Sequence, residues 1–113
     1  MVINKTMAEH YTWGEVCDGW RLADQQDLAV IQERMPPNTK ETRHVHAYAR
    51  QFFYILEGEA LMELNGENHR LRTHEGIEIP PNTPHTMMNP FESPVEFLVI
   101  SSPATKGDRT NID

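Results

Sequence analysis

The sequence predicts a single all-β domain of sandwich or closed-barrel type. Short apolar runs follow one another at tight spacing, and the eight prolines and six glycines fall mostly between them. No long segment has the apolar periodicity of an amphipathic helix. The pair Asn65-Gly66 lies between two such runs, and both residues tolerate positive φ, which is typical of a tight hairpin. About eight or more strands are therefore expected.

The first half of the chain contains four predicted strands. Tyr11–Trp13 and Gly19–Leu22 are expected as edge strands. Leu28–Met35 is a longer run that stops at a proline pair, because proline cannot donate to a strand ladder. Residues 38–39 are expected to continue that turn, and a strand through Arg43–His46 follows it.

The second half contains the strands with the clearest pattern. Gln51–Glu57 carries consecutive aromatic and β-branched residues, which suit a pleated surface. Residues 80–84 include three prolines and are expected to form a rigid turn. The polar tail 103–113 is expected to be loosely ordered. The remaining predicted strands are Ala60–Leu64, His69–Leu71, Ile77–Ile79, His85–Asn89 and Val95–Ser101.

Length, charge and cysteine content restrict the classes of function. The 113 residues fit one compact domain, which we place at residues 1–113. A formal net charge of −7 repels phosphate backbones, so neither nucleic acid nor an anionic membrane is an expected partner. No apolar run approaches the roughly 20 residues of a membrane span, and the N-terminus has no signal-peptide pattern. The single cysteine, Cys17, cannot form an internal disulfide, which predicts a cytoplasmic protein.

Three histidines form a candidate metal site. His44 and His46 lie two residues apart, and such residues point to the same face of a strand. Gln51 shares a face of the next strand with Phe53, and its side-chain oxygen can complete a ligand set with His85. Imidazoles suit zinc, nickel, iron or manganese, and a small barrel has room for one ion and one small ligand. On spacing alone, a metal site and ordinary surface or core histidines remain alternatives.

The wider pattern resembles the cupin superfamily, in particular its small single-domain type-2 metal-binding members, over about residues 28–101. The first motif lies in RHVHAYARQFFYILEGEA and the second in IPPNTPHTMMN. The matching residues are His44, His46, Gln51, Gly58, Pro80, His85 and Asn89. The resemblance implies a double-stranded β-helix, that is, a jelly-roll β-barrel, and the pairing of two copies as a homodimer. It also implies that one divalent metal ion is held inside one end of the barrel by His44, His46, His85 and Gln51.

Three positions depart from the cupin pattern. Cupins often carry glutamate where Gln51 stands, although some members use glutamine there. The glycine usual in the second motif's proline turn is Asn82, which also tolerates the left-handed conformation. The leading glycine of that motif is replaced by His74, and Gly76 follows two residues later, so that turn is expected to differ in shape.

The amide of Gln51 affects the chemistry that such a site can perform. Glutamine brings no charge, so an ion held by neutral ligands keeps its full double-positive charge toward the open positions. We therefore expect a stronger Lewis acid that also favours an anionic ligand, such as a carboxylate or an enediolate. The alternative is that Gln51 only hydrogen-bonds a neighbour and that the metal has three protein ligands.

Four further residues are candidates for lining a substrate pocket. Phe53, Met62 and Met87 carry large apolar side chains on predicted strands, so each of them can equally be barrel core. Tyr54 can contact a polar substrate through its hydroxyl group.

The pattern supports two classes of function, both with a small-molecule ligand. The first is a metal-dependent enzyme, either an isomerase or lyase that uses Lewis-acid chemistry or a dioxygenase, acting on a small polar or carboxylated metabolite. The second is a non-catalytic domain that binds or senses a small molecule. An inward carboxylate or tyrosine beside an open metal position favours the enzyme, and no catalytic side chain is assigned from the sequence.

Overall fold

A computed structural model describes residues 1–112 of the chain. This part consists of twelve β-strands joined by turns. Within these residues, no helix is long and apolar enough to span a bilayer. The strands are β1 (Glu9–Trp13), β2 (Cys17–Asp24), β3 (Ala29–Met35), β4 (Thr39–Lys40), β5 (His44–Val45), β6 (Arg50–Glu57), β7 (Ala60–Leu64), β8 (Glu67–Leu71), β9 (Gly76–Ile79), β10 (His85–Asn89), β11 (Val95–Ser102) and β12 (Thr110–Asn111).

The strands form two antiparallel sheets that pack face to face. The order in the first sheet is β1-β2-β3-β11-β6-β9. The order in the second is β12-β5-β10-β7-β8, and β4 pairs with β10. Hairpin neighbours such as β1 with β2 and β7 with β8 are consecutive, whereas β11 pairs with β3 and β6 from distant parts of the chain. This topology confirms the predicted all-β double-stranded β-helix.

The inward faces of the two sheets meet in one hydrophobic core. Along β11, Val95, Phe97 and Val99 point inward and alternate with half-buried residues that point outward. From the other sheet, Met62 and Met87 lie opposite each other on β7 and β10, and both are completely buried. Phe53 and Val99 belong to this core and also line the cavity beside the histidines.

The strand predicted over Arg43–His46 is shorter than expected. Only His44 and Val45 belong to β5, and His46 lies in the loop that leads to β6. His46 is nevertheless 95% buried, because the loop turns its side chain into the barrel. The preceding turn also ends earlier than predicted, since Thr39 already pairs with Asn89 of β10.

The polar tail takes part in the second sheet, contrary to the loose order expected for it. Thr110 and Asn111 form β12 and pair with β5. The backbone N–H of Ile112 then donates to the carbonyl of Arg43 at 2.8 Å. Composition could not reveal these contacts, because they satisfy backbone groups whatever the side chains are. The last residue of the predicted tail, Asp113, lies outside the described residues.

Two turns have the conformations predicted from their residues. The hairpin between β7 and β8 has positive φ at both Asn65 and Gly66, 52° and 91°. Asn82 in the proline turn has a φ of 62°, so it adopts the left-handed conformation that glycine usually provides there.

Candidate metal centre

The three predicted histidines converge inside one end of the barrel. His44 on β5 lies opposite His85 at the start of β10, and their ring centroids are 4.4 Å apart. The ring of His46 lies 4.8 Å from that of His44 and 5.6 Å from that of His85. One ligand nitrogen from each ring lies within 4.8 Å of the others, and all three side chains are buried. Imidazole nitrogens that converge in this way are typical ligands of zinc and related ions, so the set is positioned to bind one metal ion.

Each ring is oriented by a backbone carbonyl that accepts a hydrogen bond from its Nδ1. His44 donates to Thr42 at 2.7 Å, and His85 donates to Thr83 at 2.9 Å. His46 donates to the carbonyl of Asp108, far along the chain. These bonds fix the tautomer in which Nε2 carries the free lone pair, as metal-binding histidines require.

Burial keeps the three imidazoles neutral. Desolvation is the main cause that lowers the pKa of His44 to about 3, and the neighbouring His85 lowers it further. Desolvation likewise lowers the pKa of His46 and of His85, although in each ring the hydrogen bond at Nδ1 raises the pKa by a smaller amount. Only the neutral form of histidine can donate a lone pair to a metal.

Gln51 presents its side-chain oxygen within the same region. Its Nε2 donates to the hydroxyl oxygen of Ser101 at 3.0 Å, and the two residues face each other across β6 and β11. This bond commits the amide nitrogen, so Oε1 points the other way. The structure thus places Gln51 on the cavity that His44 and His46 also line.

Unpartnered polar atoms provide a test of whether a metal ion fits. Among the described residues, Nε2 of His46, Nε2 of His85 and Oε1 of Gln51 are buried and have no hydrogen-bond partner. A buried acceptor without a partner costs about 1–3 kcal/mol. All three are lone-pair donors, and the two imidazoles belong to the converging histidine set, so the chemistry of these donors fits a divalent transition metal.

A cavity of about 390 Å³ opens beside the histidines and carries several charged groups. Its cationic side chains are Arg21, Lys40 and Arg109, and its acidic ones are Glu33 and Glu41. The remaining lining is mixed, with Phe53, Ile31, Val99, Trp13, Tyr11 and Ser101 among its members. Such a cavity suits a small polar ligand rather than an apolar one.

Glu33 is an acid that points into the barrel. It lies on β3 and accepts a hydrogen bond from the Tyr11 hydroxyl at 2.9 Å. The Tyr11 ring reaches it by crossing Gly19 of β2, where a Cβ would lie only 2.2 Å from the ring. Burial is the main cause that raises the pKa of Glu33 to about 7, although the Tyr11 hydroxyl opposes the rise.

Glu41 provides a second acid on the opposite wall. Its Oε1 accepts a hydrogen bond from the backbone N–H of Met87 at 2.8 Å. Burial raises its pKa to about 8, and the negative charge of Glu33 adds to that rise. The cavity therefore contains two carboxyl groups that can gain or lose a proton near neutral pH.

The four residues proposed for a substrate pocket lie in three different places. Phe53 lines the cavity. Met62 and Met87 lie deeper, in the completely buried core, and are not among the cavity-lining residues. Tyr54 points to the outer face of β6, where it stacks on the ring of His74, because neighbouring strand residues face opposite ways.

Sequence reasoning missed the acids, although a signal for Glu33 was present. On β3 the inward set is Ala29, Ile31, Glu33 and Met35, so one charged residue interrupts an apolar face. An inward charge of this kind is unusual unless it has a partner or a function. No such signal exists for Tyr11, since its approach to Glu33 depends on the pairing of β1 with β2.

Comparison with known proteins agrees with this architecture. The chain matches the family described as Cupin domain over residues 31–101. An uncharacterized protein of Methanocaldococcus jannaschii is 35% identical over 84 residues, which are 74% of this chain and 67% of that protein. The structure of a predicted oxalate decarboxylase from Thermotoga maritima has a TM-score of 0.84 at 16% identity, covering 92% of this chain and 100% of that chain. The structure of a sugar phosphate isomerase from Silicibacter pomeroyi has a TM-score of 0.79 at 19% identity, covering 92% and 76% of the two chains.

Proposed function

The chain belongs to the cupin family, as its motifs predicted, and we propose that it is a metal-dependent enzyme acting on a small carboxylated metabolite. Nε2 of His44, His46 and His85 and Oε1 of Gln51 would hold one divalent ion of zinc, nickel, iron or manganese. The observation that carries this proposal is that buried lone-pair donors of His46, His85 and Gln51 have no partners, while the histidines converge within 4.8 Å. When bound, a divalent ion would polarise a carbonyl or carboxylate oxygen of the ligand as a Lewis acid.

The charges of the cavity support an anionic substrate. The chain as a whole carries a net charge of −7, yet Arg21, Lys40 and Arg109 all line this one cavity. A cationic cleft in an acidic protein concentrates small anions near it. The neutral ligand set would add to this preference, because it leaves the charge of the ion uncompensated. Two structural neighbours are named for enzymes of oxalate and of sugar phosphates, which are also small anions.

The two cavity acids support proton transfer as the reaction type. Glu33 has a pKa of about 7 and hydrogen-bonds Tyr11, and Glu41 has a pKa of about 8. At neutral pH each can take a proton from a ligand carbon or oxygen, or return one. An inward acid and an inward tyrosine beside the candidate metal site favour an isomerase or lyase over a passive binding domain.

Metal content provides the first test. The protein is purified without added metal, together with His44→Ala, His85→Ala and the control His69→Ala, which removes a histidine of β8 outside the site. We expect about one equivalent of metal in the wild type and in the control, and a large loss in the other two variants. Equal metal content in all four proteins would contradict the proposed site.

Ligand binding and proton transfer provide the second test, with pyruvate as the probe. We expect pyruvate to bind the zinc-loaded protein and Arg109→Gln to weaken that binding, whereas Arg70→Gln, which removes an arginine outside the cavity, leaves it unchanged. In D2O the loaded protein should speed deuteration of the pyruvate methyl group, and Glu33→Gln should slow it about 100-fold. Binding without any deuteration would favour the non-catalytic alternative.

The homodimer and the cytoplasmic location stay predictions. The homodimer is expected because cupins commonly pair through their sheets. The cytoplasmic location is expected because the single cysteine, Cys17, is a buried free thiol and forms no disulfide. Sedimentation of the purified protein at several concentrations tests the homodimer, since a single species of 13.1 kDa at all of them would exclude it.

A further inference from the structure

The C-terminal segment 105–111 runs beside the loop that carries His46. The carboxylate of Asp108 accepts three consecutive backbone N–H groups of this loop, from Ala47 at 2.7 Å, from Tyr48 at 3.0 Å and from Ala49 at 2.9 Å. The backbone carbonyl of the same residue accepts the Nδ1 hydrogen bond of His46. One residue therefore binds both the loop and the ring.

His46 depends on this contact in a way that the other two histidines do not. The rings of His44 and His85 are oriented by backbone carbonyls two residues earlier in the chain, those of Thr42 and Thr83. His46 lies beyond the end of β5, and its ring is oriented by a residue 62 positions away. Local folding is therefore sufficient to orient two rings, while the third needs the C-terminal segment.

The segment is itself fixed to the barrel on both sides of Asp108. Before it, the Asp108 N–H closes a turn onto the carbonyl of Thr105 at 2.8 Å. After it, Thr110 and Asn111 pair with β5, next to His44. Arg109 and Thr105 also line the cavity, so the segment forms part of its wall. The position of Asp108 is therefore fixed by hydrogen bonds on both sides of it along the chain.

We propose that Asp108 is a positioning residue of the metal centre, which holds the His46 loop and ring in the orientation that binds the ion. This inference rests on the proposed function, because it requires that the three histidines bind a metal. It assigns a role to the segment 105–111, which lies outside the two motifs and belongs to the polar tail that was expected to be loosely ordered. It also predicts that loss of the carboxylate affects His46 selectively.

Zinc binding to Asp108→Ala and Asp108→Asn tests the proposal. The asparagine variant keeps one acceptor oxygen, so it should lose part of the loop contacts, while alanine loses all of them. We expect zinc affinity to fall about 10- to 100-fold in Asp108→Ala, as for other partners that orient metal ligands, and less in Asp108→Asn. The matched control is Asp24→Asn, which changes an exposed aspartate at the end of β2 and should leave affinity unchanged.

Two further readouts separate positioning from a general loss of structure. In the metal-free protein, nitrogen-15 NMR should show the Nε2–H tautomer appearing at His46 in the variants, with His44 and His85 unchanged. With Co²⁺ as the probe, the visible spectrum should change from that of the wild type, which reports altered coordination. The unfolding midpoint of Asp108→Asn identifies any loss of fold. If Asp108→Ala does not fold, the zinc affinity of Asp108→Asn tests the inference.

The outcomes distinguish the inference from the proposed function. If the wild type binds zinc and a folded Asp108 variant binds it equally well, the inference is wrong and the proposed metal centre stands. If the wild type binds neither zinc nor Co²⁺, the proposed function is wrong and the inference is rejected with it.

Discussion

At the scale of single residues, Gln51 is the proposed ligand that would decide the charge of the candidate metal centre. Its amide nitrogen is committed to Ser101, and its oxygen is buried without a partner. Three neutral imidazoles and one neutral amide would leave a bound divalent ion without any compensating charge. The proposed preference for anionic ligands depends on this property more than on any single cation of the cavity wall.

The substitution Gln51→Glu tests that property. A carboxylate adds one negative charge next to the ion, and the Ser101 hydroxyl can donate to it, so the geometry is conserved. We expect zinc to bind about tenfold more tightly or better, that is, by ~1.4 kcal/mol, while pyruvate binds more weakly. Isothermal titration measures both. If zinc affinity is unchanged in Gln51→Glu and also in Gln51→Ala, the side chain is not a ligand.

The position of Met62 is a second prediction at this scale. Because the side chain is completely buried in the core and does not line the cavity, Met62→Ala should lower the free energy of unfolding by about 2–5 kcal/mol. Pyruvate affinity of the zinc-loaded protein should stay as in the wild type. A weaker affinity at unchanged stability would show that Met62 contributes to the substrate pocket.

At the scale of elements, alternation along β3 and β11 separates core from cavity. On the inward face of β11, Phe97 belongs to the core, whereas Ser101 accepts the hydrogen bond from Gln51. The inward face of β3 carries Glu33 between apolar residues. A strand that crosses the whole barrel therefore contributes stability at one end and polar groups at the other. This arrangement explains why the candidate site lies at one end of the barrel.

The turn between β6 and β7 allows a direct test at this scale. Gly58 has a φ of 82°, and a Cβ there would lie 2.4 Å from the carbonyl oxygen of Pro94. Gly66 has a similar φ, 91°, but nothing lies within 4 Å of its Cβ position. Both alanine variants should suffer backbone strain of about 1 kcal/mol, and Gly58→Ala should lose a further 1–3 kcal/mol, about the cost of overpacking. Urea denaturation measures both, and equal losses would show that the Pro94 contact relaxes freely.

At the scale of the whole molecule, the buried ionisable groups make stability depend on pH in two opposite ways. The three histidines have lowered pKa values in the folded protein. Below the unfolded value of about 6.5 the unfolded chain binds more protons, so their contribution is lost as pH falls toward the folded pKa, which for His44 is about 3. Glu33 has a raised pKa of about 7, so its contribution is present at low pH and is lost as pH rises from about 4.5 through 7.

Comparing the metal-free wild type with Glu33→Gln isolates the carboxyl contribution. The glutamine cannot ionise, so it removes the cost of burying a charge at high pH. We expect the stability of the variant relative to the wild type to increase steadily between pH 4.5 and pH 7 and to level off above that. Chemical denaturation at intervals of one pH unit measures it. A difference that does not vary with pH would show that Glu33 titrates as an exposed carboxyl group.

Most of the fold and half of the candidate site were predictable from local features of the chain. Turn residues and alternating apolar runs mark the strands, and the resemblance of the two motifs to cupins implied His44, His46, His85 and Gln51 as a set. The strands are readable because each depends on the backbone preferences of a few neighbouring residues, whereas the ligand set was readable only through the two motifs. Even so, the chain leaves β5 before His46, which strand periodicity could not show.

The tertiary structure alone decided which groups surround the histidines. Tyr11 reaches Glu33 across Gly19, and Asp108 reaches His46 from the far end of the chain. Both contacts join segments far apart in sequence, through the pairing of β1 with β2 and of β12 with β5. A hydrogen bond of this kind leaves no periodic trace in the sequence, because its energy depends on the distance between two atoms and not on their separation along the chain.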